Sequence, residues 1–352
     1  MTVGRAHPLG IENFHALLRI GTAGRPGRKS ATAAPAARRR GRYPARVTGT
    51  ARGAAPDEGA RVELRVTDVN ASGEGVARHG SFVLFVRDAW PGERVMARIV
   101  RRRRSYGEAV VESRLEASPD RVAPPCPHQP ECGGCPMMTL APPAALRAKA
   151  KRAAEVLRRL AGVAIPIEPV IASPASLEYR NRIAFAVRGG RIGFHAARDP
   201  ARFVPVERCL LAPPEASLLA RRFAGRLGAA GSWPARLELR GASDGSRWLI
   251  AASGPGPVPA AARTAARELI AARPELCGVV ALRGAGRYSV LAGTDGFVDR
   301  AGGLPLRVGP TGFVQVNPAA ARLLYALVAE GLGSGGAPPR RVLDLYAGAG
   351  LA

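Results

Sequence analysis

The sequence predicts a multidomain α/β protein with a small β-barrel near its N-terminus, and three observations carry that expectation. At 352 residues the chain has room for two or three domains with substantial cores. Residues 59–116 break into four or five short alternating strands parted by glycine turns. From residue 165 onward, strands and helices alternate.

Residues 1–58 are expected to form a disordered basic tail. They are rich in Ala, Pro, Gly and Arg, lack any hydrophobic period, and hold eleven Arg or Lys against three acids. Such a tail is either simply solvated or an arm that touches RNA.

In residues 59–116, "RVELRVTDV" sets Val62, Leu64 and Val66 on one side and Arg61, Glu63 and Arg65 on the other. "NASGEGVARHG" is a glycine turn into "SFVLFV", and "DAWPGERV" is a second turn before "VMARIVRRRRS" and "GEAVVESRLE". Strands this short and this closely spaced predict a closed barrel. Arg101 to Arg104 form a run of four cations. With Phe82, Phe85 and Trp90 nearby, this run offers a basic, aromatic face for nucleic acid, unless those rings are core.

Residues 117–305 are expected to form a central α/β domain. It opens with a Pro-rich connector, then a helix in "APPAALRAKAKRAAEVLRRLAG", with prolines at its start and Gly162 at its end. Leu146, Ala150, Ala153, Ala154, Leu157 and Leu160 give this helix an apolar stripe. Beyond it, "NRIAFAV", "RIGFHA", "ARLELRG", "RWLIAAS", "CGVVALRG" and "YSVLAG" read as strands, and "APPEASLLARRFAGRLGAAG" and "VPAAARTAARELIAAR" as helices. Residues 306–352 hold "TGFVQVNPAAARLLYALVAEGL", a strand-like start and a helix. The glycine turn "RVLDLYAGAG" that follows opens a Rossmann-type fold.

Composition narrows the function. The net charge is +25, which favours a polyanionic partner. No apolar run reaches the ~18 residues of a membrane span and no signal pattern is present, so a cytoplasmic protein is expected. Five cysteines are few for a disulfide scaffold, and in a reducing compartment clustered thiols point to metal or redox chemistry.

Three of the five lie in "CPHQPECGGC", as Cys126-x5-Cys132-x2-Cys135. A closed site for zinc or an iron–sulfur cluster wants four soft donors. His128 is awkwardly placed between Pro127 and the next ligand. Cys209, before a Pro-Pro turn, is the better fourth donor, and Cys277 in an apolar strand reads as a buried core thiol. Spacing leaves zinc and iron–sulfur open. At the C-terminus, Gly348 and Gly350 let the backbone approach a ligand, in a pattern more typical of S-adenosylmethionine (SAM) sites than of dinucleotide sites.

Together these motifs resemble the bacterial RNA uracil-5 methyltransferases. "SGEGVAR" is similar to the glycine turn of that family's TRAM barrel, an OB-like domain, here expected at 59–116. Cys126, Cys132, Cys135 and Cys209 resemble its 4Fe–4S set, and "YRNRIAFAV" (179–187) its RNA-touching central motif. "FVQVN" followed by "VLDLYAGAGL" resembles its SAM-site opening. The radical-SAM spacing C-x3-C-x2-C is absent.

The resemblance implies a 4Fe–4S cluster rather than zinc. It implies SAM contacts at Gln315, Tyr346, Gly348 and Leu351, the last through backbone or packing only, and structured rRNA or tRNA as partner of a monomeric enzyme. The family's catalytic nucleophile and base lie well past its first methyltransferase motif. The chain ends at Ala352, so it is expected to be a truncated form without them, inactive alone. The alternative is a non-catalytic RNA-binding module whose metal site is built from four cysteines.

Overall fold

A computed structural model of the chain describes residues 55–197, 199–228, 233–284, 286–301, 304–333 and 341–343. The first unit is a five-stranded barrel: β1 (Arg61–Val69), β2 (Gly75–His79), β3 (Phe82–Arg87), β4 (Arg94–Arg102) and β5 (Tyr106–Glu116). The sheet closes in the order β1-β2-β3-β5-β4, with β1 returning to β4 and a parallel β3–β5 pair. This is OB-type connectivity, and closure leaves no open edge. Strict alternation aims Leu64, Val66, Leu84, Val86, Val95, Ala97 and Ile99 into one core. Gly75 is required at its turn, because a Cβ there would meet the Ala89 carbonyl oxygen at 2.5 Å.

Two of the rings expected on a nucleic-acid face belong to the core instead. Phe82 is buried in the barrel, and Trp90 is fully buried against Val69, Leu140 and Ala144, with its indole N–H donated to the Thr139 hydroxyl at 3.0 Å. A large ring gains more from burial than a solvated face offers. Phe85 stays half-exposed, tilted against Tyr106 at 5.5 Å.

Around Trp90 a polar latch ties the barrel to its connector. The Glu93 carboxylate, fully buried, accepts from Arg121 at 2.5 Å and from the Trp90 amide at 3.0 Å. Asp88 accepts from Thr139 at 2.7 Å and Arg121 at 3.1 Å and also pairs with Arg114.

Helix α1 (Pro142–Val156) follows, extended by a π-helical turn over Leu157–Ala161. Its apolar stripe does not pack as expected. Only Ala144 is buried, Leu160 is 83% exposed, and just the first turn rests on the Trp90 cluster. The rest runs past the barrel, tied by Arg147 to Asp120 and Lys151 to Asp68.

The second unit is a seven-stranded mixed sheet of β6 (Arg182–Arg188), β7 (Arg191–His195), β8 (Phe203–Pro205), β9 (Arg236–Gly241), β10 (Trp248–Ser253), β11 (Leu276–Leu282) and β12 (Tyr288–Gly293). Their order is β12-β11-β10-β9-β6-β7-β8. Only β10 and β11 run parallel, joined through α3 (Ala260–Ala272). Helices α2 (Pro214–Leu227) and α3 cover one face through Leu219, Phe223, Ala266 and Leu269, over Phe185, Leu237, Leu239, Trp248 and Ile250.

On the opposite face a hairpin, β13 (Phe297–Ala301) and β14 (Leu304–Val308), packs Phe297 and Val308 over Leu249, Ala251 and Val280. The half of that face formed by β6 and β9 carries Arg182, Ala184, Arg236, Glu238 and Arg240. "FVQV" is not a strand. It is a loop with Val314 packed against the hairpin core, and α4 (Pro318–Gly333) follows it.

Candidate functional site

The cysteine loop folds back on itself before it reaches the sheet. The Cys126 carbonyl accepts from the Gln129 amide at 3.2 Å and the His128 carbonyl from the Cys132 amide at 2.8 Å. The Gln129 side-chain amide spans the loop, donating to the carbonyls of Cys132 and Cys135. The Gly133 amide then donates to the His195 carbonyl at 3.0 Å, and Cys132 bridges to Ala196, so the loop docks on the end of β7. A Cβ at Gly133 would lie 3.1 Å from that carbonyl oxygen, which explains a glycine between two cysteines.

Cys209 arrives from a separate segment, after β8. Its amide donates to the Ser217 hydroxyl of α2 at 3.1 Å, which fixes the start of the Cys209–Leu211 turn. Cys126, Cys132, Cys135 and Cys209 thereby line a single cavity of about 270 Å³, with His128, Met138, Phe194 and the arginines Arg180, Arg208 and Arg236 around it. Among the described residues no group of three or more His, Cys, Asp or Glu is poised to hold a metal ion.

The electrostatics are those of crowded thiols. Burial, followed by the charges of Cys209, Cys132 and Cys126, pushes Cys135 up to about 11, with Arg180 opposing. Burial and the neighbouring cysteines raise Cys132 and Cys209 as well. Four thiolates here would repel one another unless a cationic centre shared the cavity. Cys277 stands apart, half-buried under the hairpin, with its thiol donated to the Trp248 carbonyl at 3.1 Å.

Residues 180–182 tie three features together. Arg180 lines the cysteine cavity, the Asn181 amide donates to the Val316 carbonyl at 3.1 Å, and Arg182 lies half-buried on the β6–β9 half of the sheet, opposite Arg240. The hydrogen bond to Val316 brings Gln315 to a small crevice shared with Asn181, Ser243, Asp299, Arg322 and Tyr325. Asp299, buried, accepts from the Ser243 amide and hydroxyl and holds the hairpin to the β9–β10 turn. The crevice measures about 30 Å³, room for about one water. The described residues therefore place Gln315 on the wall of this crevice. Tyr346, Gly348 and Leu351 lie outside the described residues.

Residues 57–111 match the TRAM domain. An uncharacterized RNA methyltransferase of Gloeobacter violaceus is 31% identical over 321 residues, covering 83% of this chain and 69% of that protein. One from Chlorobaculum tepidum is 30% identical, over 82% of this chain and 68% of its own length. The chain belongs to the TRAM-containing RNA methyltransferases. Its fold is similar to that of the Pyrococcus abyssi tRNA (uracil-54, C5)-methyltransferase, solved with S-adenosyl-L-homocysteine, at a TM-score of 0.59 and 20% identity over 82% of this chain and 68% of that one.

In this RNA methyltransferase the cationic run on the barrel is partly neutralised. Arg101 faces Glu108 at 3.9 Å and Arg102 pairs with Asp57 at 2.6 Å, while Arg103 and Arg104 are exposed. The sheet carries cations that the sequence reading passed over. Arg208 and Arg236 join Arg180 on the lining of the cysteine cavity, and Glu238 is shared by Arg182, Arg236 and Arg240. The signal was present in "ARLELRG": alternation with Leu237 and Leu239 inward puts Arg236, Glu238 and Arg240 on the other face.

Proposed function

We propose that this chain serves SAM-dependent methylation of C5 of a uridine in structured RNA, in the cytoplasm and as a monomer, with a 4Fe–4S cluster held by Cys126, Cys132, Cys135 and Cys209. The observation that carries this reading is the convergence of four cysteines, from two separate segments, on one cavity edged by Arg180, Arg208 and Arg236. Four thiols are the donor type that a soft metal core takes, and they line one cavity; a core bound there would draw the four sulfurs closer together than they stand. The activity named for the Pyrococcus abyssi protein supports the choice of uracil C5.

Each part of the chain has a task in this reading. The barrel and the β6–β9 face hold the RNA by its phosphates, with Arg103, Arg104 and Arg236 exposed and Arg182 half-buried among the cations that reach it. The iron–sulfur core, when bound, would cross-link the cysteine loop to the Cys209 turn and so fix Arg180 against the sheet. SAM, when bound, supplies the electrophilic methyl group, and Gln315 would hydrogen-bond its polar end, with Tyr346, Gly348 and Leu351 completing the contacts.

A second reading concerns the 352 residues acting alone. C5 methylation needs a thiolate to attack C6. Four of the five cysteines share the cavity and Cys277 is engaged under the hairpin, so none is free to attack. In this reading these 352 residues supply RNA binding and part of the cofactor site, and methylation by the gene product draws its attacking thiolate from outside them. The function is tested by mapping 5-methyluridine in rRNA and tRNA from cells lacking the gene. Loss of methylation at a defined uridine is expected, and an unchanged map would overturn the reading.

A further inference from the structure

Arg240 is a buried cation to which the function above gives no task. It lies on β9 at 5% exposure, and its Nε and Nη2 reach Glu238 at 2.9 Å. Its Nη1 crosses to the loop before α4, donating to the carbonyls of Gly312 at 2.9 Å and Thr311 at 3.4 Å. That loop carries Gln315 and is held on its other side by the Asn181 amide on Val316. The guanidinium thus bonds in two directions, to a carboxylate on its own strand and to backbone on the loop.

Glu238 is shared. Arg182 donates to it at 2.7 Å, on the same oxygen that Arg240 uses, and Arg236 lies 3.7 Å from the other oxygen. One carboxylate cannot neutralise three cations. The surplus charge rests on the two that reach solvent, Arg182 with 33% and Arg236 with 58% of the side chain exposed. A phosphate arriving there competes with Glu238 for both, and leaves the carboxylate to Arg240.

We propose that Arg240 is a positioning residue joining the RNA-facing sheet to the Gln315 loop: phosphate engagement of Arg182 and Arg236 cedes Glu238 to Arg240, which tightens its hold on Thr311 and Gly312. The inference rests on the RNA reading above. It makes the Gln315 loop more ordered when RNA is bound, so that RNA and cofactor sites are coupled through a named set of bonds.

Phe313, 58% exposed on this loop, supplies the reporter. Chymotryptic cleavage after Phe313 is followed by mass in the full chain, with and without a uridine-containing stem-loop RNA, and RNA affinity is measured separately by fluorescence anisotropy. RNA is expected to slow this cleavage in the unaltered chain by about fivefold or more, a modest coupling energy. Arg240→Gln should cleave faster without RNA and lose the protection, while Arg240→Lys, which keeps a cation beside Glu238, should recover part of it. Should Arg240→Gln fail to fold, Glu238→Gln decides: it leaves the carbonyl bonds in place and should lose only the RNA-dependent protection. Equal protection in the unaltered and altered chains, or RNA binding with no protection in the unaltered chain, would overturn the proposal. Failure to bind RNA at all would show in the anisotropy and overturn the RNA reading itself.

Discussion

Asp88 shows how a single side chain sets the joint between the barrel and the cysteine loop. Burial works against its charge, but the Thr139 hydroxyl and the Arg121 and Arg114 guanidiniums outweigh that and hold its carboxyl below the usual range. A carboxylate lowered on folding adds stability that is complete above its unfolded value, ~3.9, and is lost as pH falls through the folded one. Denaturation of the unaltered chain should therefore show stability falling as pH drops below about 4. Asp88→Asn should be less stable at neutral pH and should flatten that acid limb. An acid limb as steep in the variant as in the unaltered chain would remove Asp88 from the account. Glu238 follows the same sign: burial opposes its charge, and Arg182 and Arg240 lower it overall. At this scale the sequence was only partly legible. Cys126, Cys132 and Cys135 announce themselves by type and spacing, and Cys209 only by its place before a Pro-Pro turn. Arg240 and Glu238 do not, because their roles depend on a strand pairing that brings Arg182 opposite Arg240.

Elements read well where one periodicity dominated. The barrel strands alternate cleanly, and α2 and α3 bury one face each, as Leu219, Phe223, Ala266 and Leu269 demand. Elements read poorly where an apolar residue had two uses. The stripe on α1 suggested a packed helix, yet Leu160 is exposed, because the helix leaves the barrel after one turn. Short β8 and the hairpin β13–β14 escaped notice, since three- and five-residue strands carry little pattern. "FVQV" looked like a strand, but Asn181 takes its Val316 carbonyl, Arg240 takes the Gly312 carbonyl just before it, and its own residues lie in a loop. Two substitutions separate these cases by chemical denaturation. Trp90→Ala, which empties a fully buried site and orphans the Thr139 latch, should cost about 3–5 kcal/mol. Leu160→Ser should change stability by no more than about 0.5 kcal/mol, and a loss as large as that of Trp90→Ala would mean that α1 is packed after all.

For the whole molecule, an OB-type barrel and a mixed sheet are held about a cysteine loop that touches both. Met137 of that loop approaches Gly73 of the barrel turn, and Gly133 meets β7. The net charge of +25 remains however the acids are paired, and RNA binding should carry its signature. Affinity for a structured RNA should fall at least about tenfold between roughly 50 and 200 mM salt, with a straight line in log–log form. Salt-independent binding would contradict phosphate contacts. Among the described residues no helix is long and apolar enough to cross a membrane.

The proposal on which the rest depends is that Cys126, Cys132, Cys135 and Cys209, which line one cavity, hold one inorganic core. Anaerobic purification followed by iron, acid-labile sulfide and zinc analysis tests it most directly, with Cys209→Ala and Cys277→Ala in parallel. The account predicts a brown protein with about four iron and four sulfide per chain, both lost in Cys209→Ala and kept in Cys277→Ala. A colourless chain holding a single zinc, or iron indifferent to Cys209, would contradict it.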